Sequence, residues 1–354
     1  VTQVSADAAP WELLAEDAIR SSDARVLAEV IRVLRDGVAA GQAGRADLRL
    51  CQHLLCRALI SRFKAQGRAD DLAEAVALGR AAVAAPARGS AATTATCLSS
   101  LAGALFLGQV RSHGDLSEAI GLSRKAVELA AGPDESCLTL GRLAGFLLDR
   151  YRYAGDADDL AESVRAARRA VAASRVGHWT RPDGLGTLGA ALRASFERTG
   201  DMAELDEAIS MHRRALADVP PESADHAACL DILSCALITR VQVSRDVAAI
   251  AEGIEASRRA VAMTAAGHFS LPSYLSNLGV LLHLKYLCTG ADNALAESVE
   301  VARRAVAASR PGDPDSGVPL QNLACALQAT FGKTRHPGYL VAAEDAARQG
   351  PGGR

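Results

Sequence analysis

Six arginines, Arg80, Arg124, Arg168, Arg213, Arg258 and Arg303, stand 44, 44, 45, 45 and 45 residues apart, and the register extends back to Arg35 and on to Arg348. A guanidinium is a permanent cation with a planar fork of donors that fits carboxylate and phosphate oxygens, so a row of them could form a track for an anionic peptide. The same arithmetic supplies partners. Six residues before each arginine stand Glu29, Glu74, Glu118, Glu162, Glu207, Glu252 and Glu297, and only the last copy breaks the column, with Ala342. The matching glutamates favour a ladder of ion pairs within or between copies, worth ~0–1 kcal/mol each when exposed.

Other chemistry-bearing residues do not converge in the sequence. The eight histidines, at 53, 113, 178, 212, 226, 268, 283 and 336, are scattered, and His178 and His268 each follow a glycine in corresponding loops, as a repeated loop motif would place them. Asp156, Asp158 and Asp159 precede a helical stretch, where carboxylates cap the first turn and suit the helix dipole better than they would build a cation site. The cysteines, Cys51, Cys56, Cys97, Cys137, Cys229, Cys235, Cys288 and Cys325, form no CxxC pair and share no zinc-ligand spacing with histidine. They read as small buried hydrophobes of a reducing compartment. A phosphate-binding GxxxxGK[ST] loop is missing, as is a His and Cys pair outside the repeats. The expectation is a non-catalytic protein with no cofactor and no metal.

The elements that carry these columns are themselves repeated. A block of the form Leu-x-x-Leu-small-x-x-Leu recurs at Leu98-Leu101-Ala102-Leu105, Leu140-Leu143-Ala144-Leu147, Leu185-Leu188-Gly189-Leu192, Leu230-Leu233-Ser234-Leu237, Leu275-Leu278-Gly279-Leu282 and Leu320-Leu323-Ala324-Leu327, with a divergent copy through Leu55, Cys56 and Leu59. Spacings of three and four put these leucines on one helical stripe. Both blocks of a copy are rich in good helix formers, and glycine followed by aspartate, as in Thr199-Gly200-Asp201, divides them. Each copy of 44 or 45 residues is thus a helical hairpin. Two such helices cannot bury a shared stripe alone, so the hairpins must stack. The expectation is an all-α solenoid of about seven antiparallel hairpins over residues 45–349, with a helical cap over 1–44 in which Trp11, Leu13 and Leu14 fold inward, and a flexible tail over 350–354.

The second block, Leu205-Asp206-Glu207-Ala208-Ile209 with His212-Arg213-Arg214-Ala215-Leu216 and Pro220, resembles the second helix of a tetratricopeptide repeat. Leu275, Asn277, Leu278, Gly279 and Leu282 are similar to that family's first helix. The family's usual period is about 34 residues, so HEAT or armadillo hairpins stay open as the alternative. Small residues at Gly189, Ala208 and Ala215, where backbones must approach, favour the tetratricopeptide-like form. Long-period arrays of this kind resemble those found in bacteria beside or fused to CHAT proteases and signalling ATPases, which implies a regulatory arm as a second reading.

The resemblance implies a right-handed superhelix whose first helices line a concave face. Carried over position by position, that face presents Arg193, Asp231, Thr239, Asn277, His283, Asn322 and Gln328, which differ between copies while the leucines do not. The function implied is a scaffold or adaptor that binds a protein or peptide segment there. A formal charge of −2, from 39 basic and 41 acidic residues with no basic block, argues against duplex nucleic acid as a partner. Charges are expected to interrupt every apolar stretch short of the ~18–20 residues a bilayer needs, and no leader is evident, so a cytoplasmic location is expected. The final helix still carries Leu340 and Val341, an end suited to a second copy or a further domain.

Overall fold

In the computed structural model the described residues are 15–19, 24–42, 47–85, 91–112, 116–178, 180–268, 270–309 and 317–349. Trp11, Leu13, Leu14, His113 and the tail 350–354 lie outside them. The described chain is all-α and divides by its contacts into two compact units, Val1–Ala191 and Leu192–Arg354.

The first unit opens with a helical segment at 15–19 and α1 (Ala24–Gln42), followed by α2 (Leu48–Gln66) with α3 (Ala69–Ala84), α4 (Ala91–Ser112) with α5 (Ser117–Leu129), and α6 (Pro133–Ala154) with α7 (Ala157–Ala173). The helix α8 (Arg181–Thr199) carries the division. The second unit continues with α9 (Met202–Asp218), then α10 (Ala224–Ser244) with α11 (Val247–Met263), α12 (Leu271–Thr289) with α13 (Asp292–Ala308), and α14 (Gly317–Thr334) with α15 (Pro337–Gln349).

Local chemistry sets the breaks. Gly67, Gly155, Gly200 and Gly290 end first helices at φ of 71°, 74°, 74° and 70°, a left-handed conformation that glycine adopts without Cβ strain. Asp156 and Asp201 then cap the next helix, accepting from the amides of Asp158 and Ala203 at 2.9 Å. The aspartate trio does not act as one, however. Asp159 turns inward and is buried against Arg150, whose Nε and Nη2 donate to it at 2.7 and 2.6 Å. Arg62 and Asp71 repeat this link between α2 and α3, at 2.8 and 2.7 Å.

Within each unit a second helix packs on its own first helix and on the first helix of the next hairpin. The leucine stripes form the core: Leu233, Leu237, Leu278 and Leu282 interleave with Leu205, Ile209, Ile250 and Ile254 in the second unit. The second helices meet these stripes with small residues. Ala75, Ala119, Ser163, Ala208, Gly253 and Ser298 occupy one repeated position, and all are buried. At Gly253 a Cβ would come within 2.8 Å of Leu281 Cδ2, and at Gly79 within 3.2 Å of the Leu101 Cα. Gly189, Ala208 and Ala215 are buried as close packing requires, although the corresponding Gly279 leaves 3.8 Å to its nearest neighbour.

Two expectations need correction. The stretch 89–110 contains no charged residue, and Ala91–Gly108 and Asp225–Ser244 are both long and apolar enough to cross a membrane. Each is a first helix whose leucine stripe packs into the hairpin row, which is why it is apolar without a bilayer. Cys51, Cys56, Cys97 and Cys137 are buried free thiols, but Cys229, Cys235 and Cys288 are only partly covered and Cys325 is exposed.

Candidate functional site

Consecutive first helices contact one another, α2 with α4 and α4 with α6 in one unit, α10 with α12 and α12 with α14 in the other. Consecutive second helices are bridged by long side chains instead. Arg35, Arg80 and Arg124 pair with Glu74, Glu118 and Glu162, and Arg213 and Arg258 with Glu252 and Glu297, each glutamate belonging to the next copy. Hydrogen bonds donated to Glu74, Glu162 and Glu252 raise Arg35, Arg124 and Arg213 above the ordinary guanidinium range. In these described pairs the arginines are committed to structural carboxylates. Arg303 faces the copy in which Ala342 replaces glutamate, and it is exposed.

The first helices form another face of the row. In the second unit, Asn277 Nδ2 on α12 donates to Asp231 Oδ1 on α10 at 2.7 Å and lies 3.2 Å from Cys235 Sγ. Burial pushes the Asp231 carboxyl up to about 6, with the Asn277 hydrogen bond acting in the opposite direction. His283 on α12 is partly buried with Nδ1 lacking a partner, and burial lowers its pKa. Thr239 turns its hydroxyl back to the Cys235 carbonyl at 3.2 Å, and Arg193 pairs with Glu197 on its own helix. Asn322 is half-buried and Gln328 exposed on α14. The structure thus joins Asp231 and Asn277 and adds Cys235; Arg193, Thr239, His283, Asn322 and Gln328 take no part in that contact.

The first unit holds a second concentration of polar groups. Arg49, His53 and Arg57 stand at i, i+4 and i+8 on α2, one face of one helix. Arg142 on α6 reaches across α4 and donates from Nη1 to the carbonyl and Oγ of Ser99, both at 2.9 Å. A cavity of about 30 Å³ lies between the three helices, lined by His53, Arg57, Ser99, Ser100, Thr139 and Arg142 among others. Burial and the neighbouring guanidiniums Arg57, Arg142 and Arg49 push His53 down to about 3. Burial, then Arg57, brings Arg142 down to about 10.

Glycines extend the same face. Gly103 on α4, Gly141 and Gly145 on α6 and Gly186 on α8 are helix-interior residues, each with nothing within 4 Å of the point where a Cβ would stand. Gly103 follows Ser99, and Gly145 follows Gly141, by four residues, one helical turn, and Gly186 follows Gly141 by 45, the repeat. A helical glycine costs about 1 kcal/mol relative to alanine, and here no close packing accounts for it.

The loop histidines prove structural. His178 Nδ1 lies 2.8 Å from Thr180 Oγ1, and His268 Nδ1 accepts from the Ser270 amide at 3.2 Å, ordering the entry to the next helix. Among the described residues no three His, Cys, Asp or Glu side chains gather as a metal site would need. A larger cavity of about 400 Å³ lies between α11 and α12, lined by Val247, Ile250, Ala251, Ile254, Lys285 and Thr289 among others.

No family model matches the chain, and no curated protein matches its sequence. Solved structures do resemble it. A kinesin light chain with TPR-like repeats from Podospora anserina shares 20% identity over 59% of this chain and 97% of its own, with a TM-score of 0.44. The nuclear import adaptor Nro1 of S. pombe shares 12% over 84% and 99%, with a TM-score of 0.39. The TPR domain of P58(IPK) shares 13% over 96% and 93%, with a TM-score of 0.25.

Proposed function

We propose that this chain is a non-catalytic interaction scaffold that holds an extended protein or peptide segment against the first-helix faces of its hairpins. The observation that carries this is the run of glycines Gly103, Gly141, Gly145 and Gly186, four helix-interior positions kept clear at a cost in helix stability and without a packing partner. A face left open in this way admits a ligand backbone. In the first unit His53, Arg57 and Arg142 would read the sequence of a segment, and in the second Asp231, Asn277 and His283 on its own first helices would do so. Arg193, Thr239, Asn322 and Gln328 are assigned supporting contacts on the same face. Affinity would be divided among hairpins, with a few buried contacts dominating.

A bacterial, cytoplasmic adaptor working beside a CHAT-like protease or signalling ATPase is the finer version of this reading, supported by the sequence resemblance. Protein, rather than nucleic acid or membrane, is the assigned partner, because Arg35, Arg80, Arg124, Arg213 and Arg258 of the ladder are already paired and the apolar first helices spend their leucines on the core. Leu340 and Val341, 37% and 55% exposed on the last described helix, are assigned to a second copy or a further domain. Affinity capture from native lysate tests the main proposal. Wild type should retain a protein that Gly145→Leu loses while keeping its thermal stability. Capture of no protein, together with tight binding of a small molecule, would overturn it.

A further inference from the structure

The cavity of about 400 Å³ between α11 and α12 lies where the chain departs from its own repeat. Eighteen residues before Arg80, Arg168, Arg258 and Arg303 stand Arg62, Arg150, Arg240 and Lys285. The three arginines all have carboxylate partners. Arg62 and Arg150 pair with Asp71 and Asp159, nine residues further on, and Arg240 pairs with Asp206 on α9 and lies 3.8 Å from Asp246. For Lys285 each of these places holds alanine: Ala294 stands nine residues on, and Ala251 and Ala291 stand 45 residues after Asp206 and Asp246. Lys285 is half-buried, and among the described residues its ammonium has no carboxylate within 4.0 Å. The apolar wall is trimmed as well. Met202 packs against the core of the second unit, whereas Val247, at the same position of the next copy, is shorter and 58% exposed.

We propose that this cavity binds a small amphipathic monoanion, an unbranched aliphatic carboxylate. Its head would meet Lys285 as Asp206 meets Arg240 one copy earlier, and its chain would lie along Val247, Ile250, Ala251 and Ile254. The volume falls within the ~300–1,000 Å³ of small-ligand pockets, and the stretch of α11 from Val247 to Arg258 gives a groove of about 16 Å. The charges of the wall ask for one anion. Arg258, Arg259 and Lys285 face a single carboxylate of the wall, Glu255, which is exposed and has no cation within 4.0 Å. Arg258 is answered by Glu297, and Arg259 lies 3.2 Å from the uncharged partner His226 Nε2, so setting Glu255 against one remaining cation still leaves one positive charge. A peptide suits the wall less well, because its amides need partners and the Thr289 hydroxyl already donates to the Lys285 carbonyl at 2.7 Å. Asp231, Asn277 and His283 lie outside this wall, so the cavity and the peptide face can be tested apart.

The test titrates the full chain, labelled at its isoleucine methyl groups, with decanoate, decanol and decylammonium, and follows the resonances of Ile250 and Ile254. Decanoate should saturate and shift both, about tenfold or more tightly than decanol. Lys285→Gln should bring decanoate down to the affinity of decanol and leave decanol itself unchanged. Ala251→Asp returns the repeat's own carboxylate to the place beside Lys285, and it should weaken decanoate about tenfold or more while a captured protein partner is retained as by wild type. Far-ultraviolet circular dichroism confirms that both variants fold. Equal binding of decanol, tighter binding of decylammonium, no shift of either methyl group, or decanoate binding indifferent to both substitutions overturns the carboxylate assignment. If wild type captures no protein while decanoate binds as described, the peptide face fails and the carboxylate cavity stands.

Discussion

Asn277 donates to Asp231 at 2.7 Å across two consecutive first helices, and this hydrogen bond works against the burial of that carboxylate. The balance goes to burial, so the carboxyl titrates near 6 in the folded chain against about 3.9 in an unfolded one. A raised carboxyl pKa means that the folded state holds the proton more tightly. Stability from this group is complete below pH 4 and is lost as pH rises through 6. Asp231→Asn keeps the acceptor for Asn277 and removes the charge. It should stabilise the protein by about 1–2 kcal/mol at pH 7.5 and change little at pH 4, as thermal unfolding at the two pH values will show.

His53 and His212 act in the opposite direction over an overlapping window. Burial holds them near 3 and 4, and both present a buried Nδ1 without a partner. Depressed histidines leave the unfolded chain with more bound protons between their folded values and about 6.5, so stability is present above 6.5 and falls as pH drops through that range. Replacing His212 with leucine should flatten the acid limb of a denaturation profile between pH 6 and 4. An unchanged limb would show that His212 protonates without unfolding the second unit.

Two kinds of ion pair should separate cleanly. Arg213 and Glu252 are largely exposed, so Glu252→Gln should cost no more than about 1 kcal/mol, and less in high salt. Asp71 is buried and hydrogen-bonded to Arg62, and Arg62→Ala should cost about 3–5 kcal/mol because the carboxylate loses that partner inside the fold. Urea unfolding of both variants measures the contrast.

The open glycines predict a gain. Gly103→Ala and Gly145→Ala should each stabilise their helices by about 0.5–1 kcal/mol, since no neighbour meets the added methyl group. Gly79→Leu should instead destabilise by about 1–3 kcal/mol, because the Leu101 backbone cannot move aside. Chemical denaturation of the three variants ranks them.

Much of this architecture was legible in the residue columns, because repetition multiplies a weak signal. The stripe through Leu233 and Leu237 and the pairing of Arg213 with Glu252 each follow from one spacing read several times. What escaped is what departs from the repeat. Asp231 and Asn277 lie 46 residues apart, one off the local period, so aligning the copies places them in different columns. The cleft in the first unit depends on Arg142 reaching Ser99 on the preceding first helix, 43 residues away and off the 44- or 45-residue period. The signal that was available was the divergence of the α2 copy, where Gln52 replaces the leading leucine and Arg49, His53 and Arg57 occupy one face. Residues 89–110 misled in the other sense, since an uncharged run serves a helix packed among helices as well as one in lipid.

Amide hydrogen exchange of the full chain, free and with its captured partner, tests the central claim most directly. Recognition on the first-helix face predicts slowed exchange concentrated in α2, α4 and α6 or in α10, α12 and α14, with the second helices little changed. Protection confined to α3, α5, α11 and α13, or to the last helix around Leu340, would contradict it.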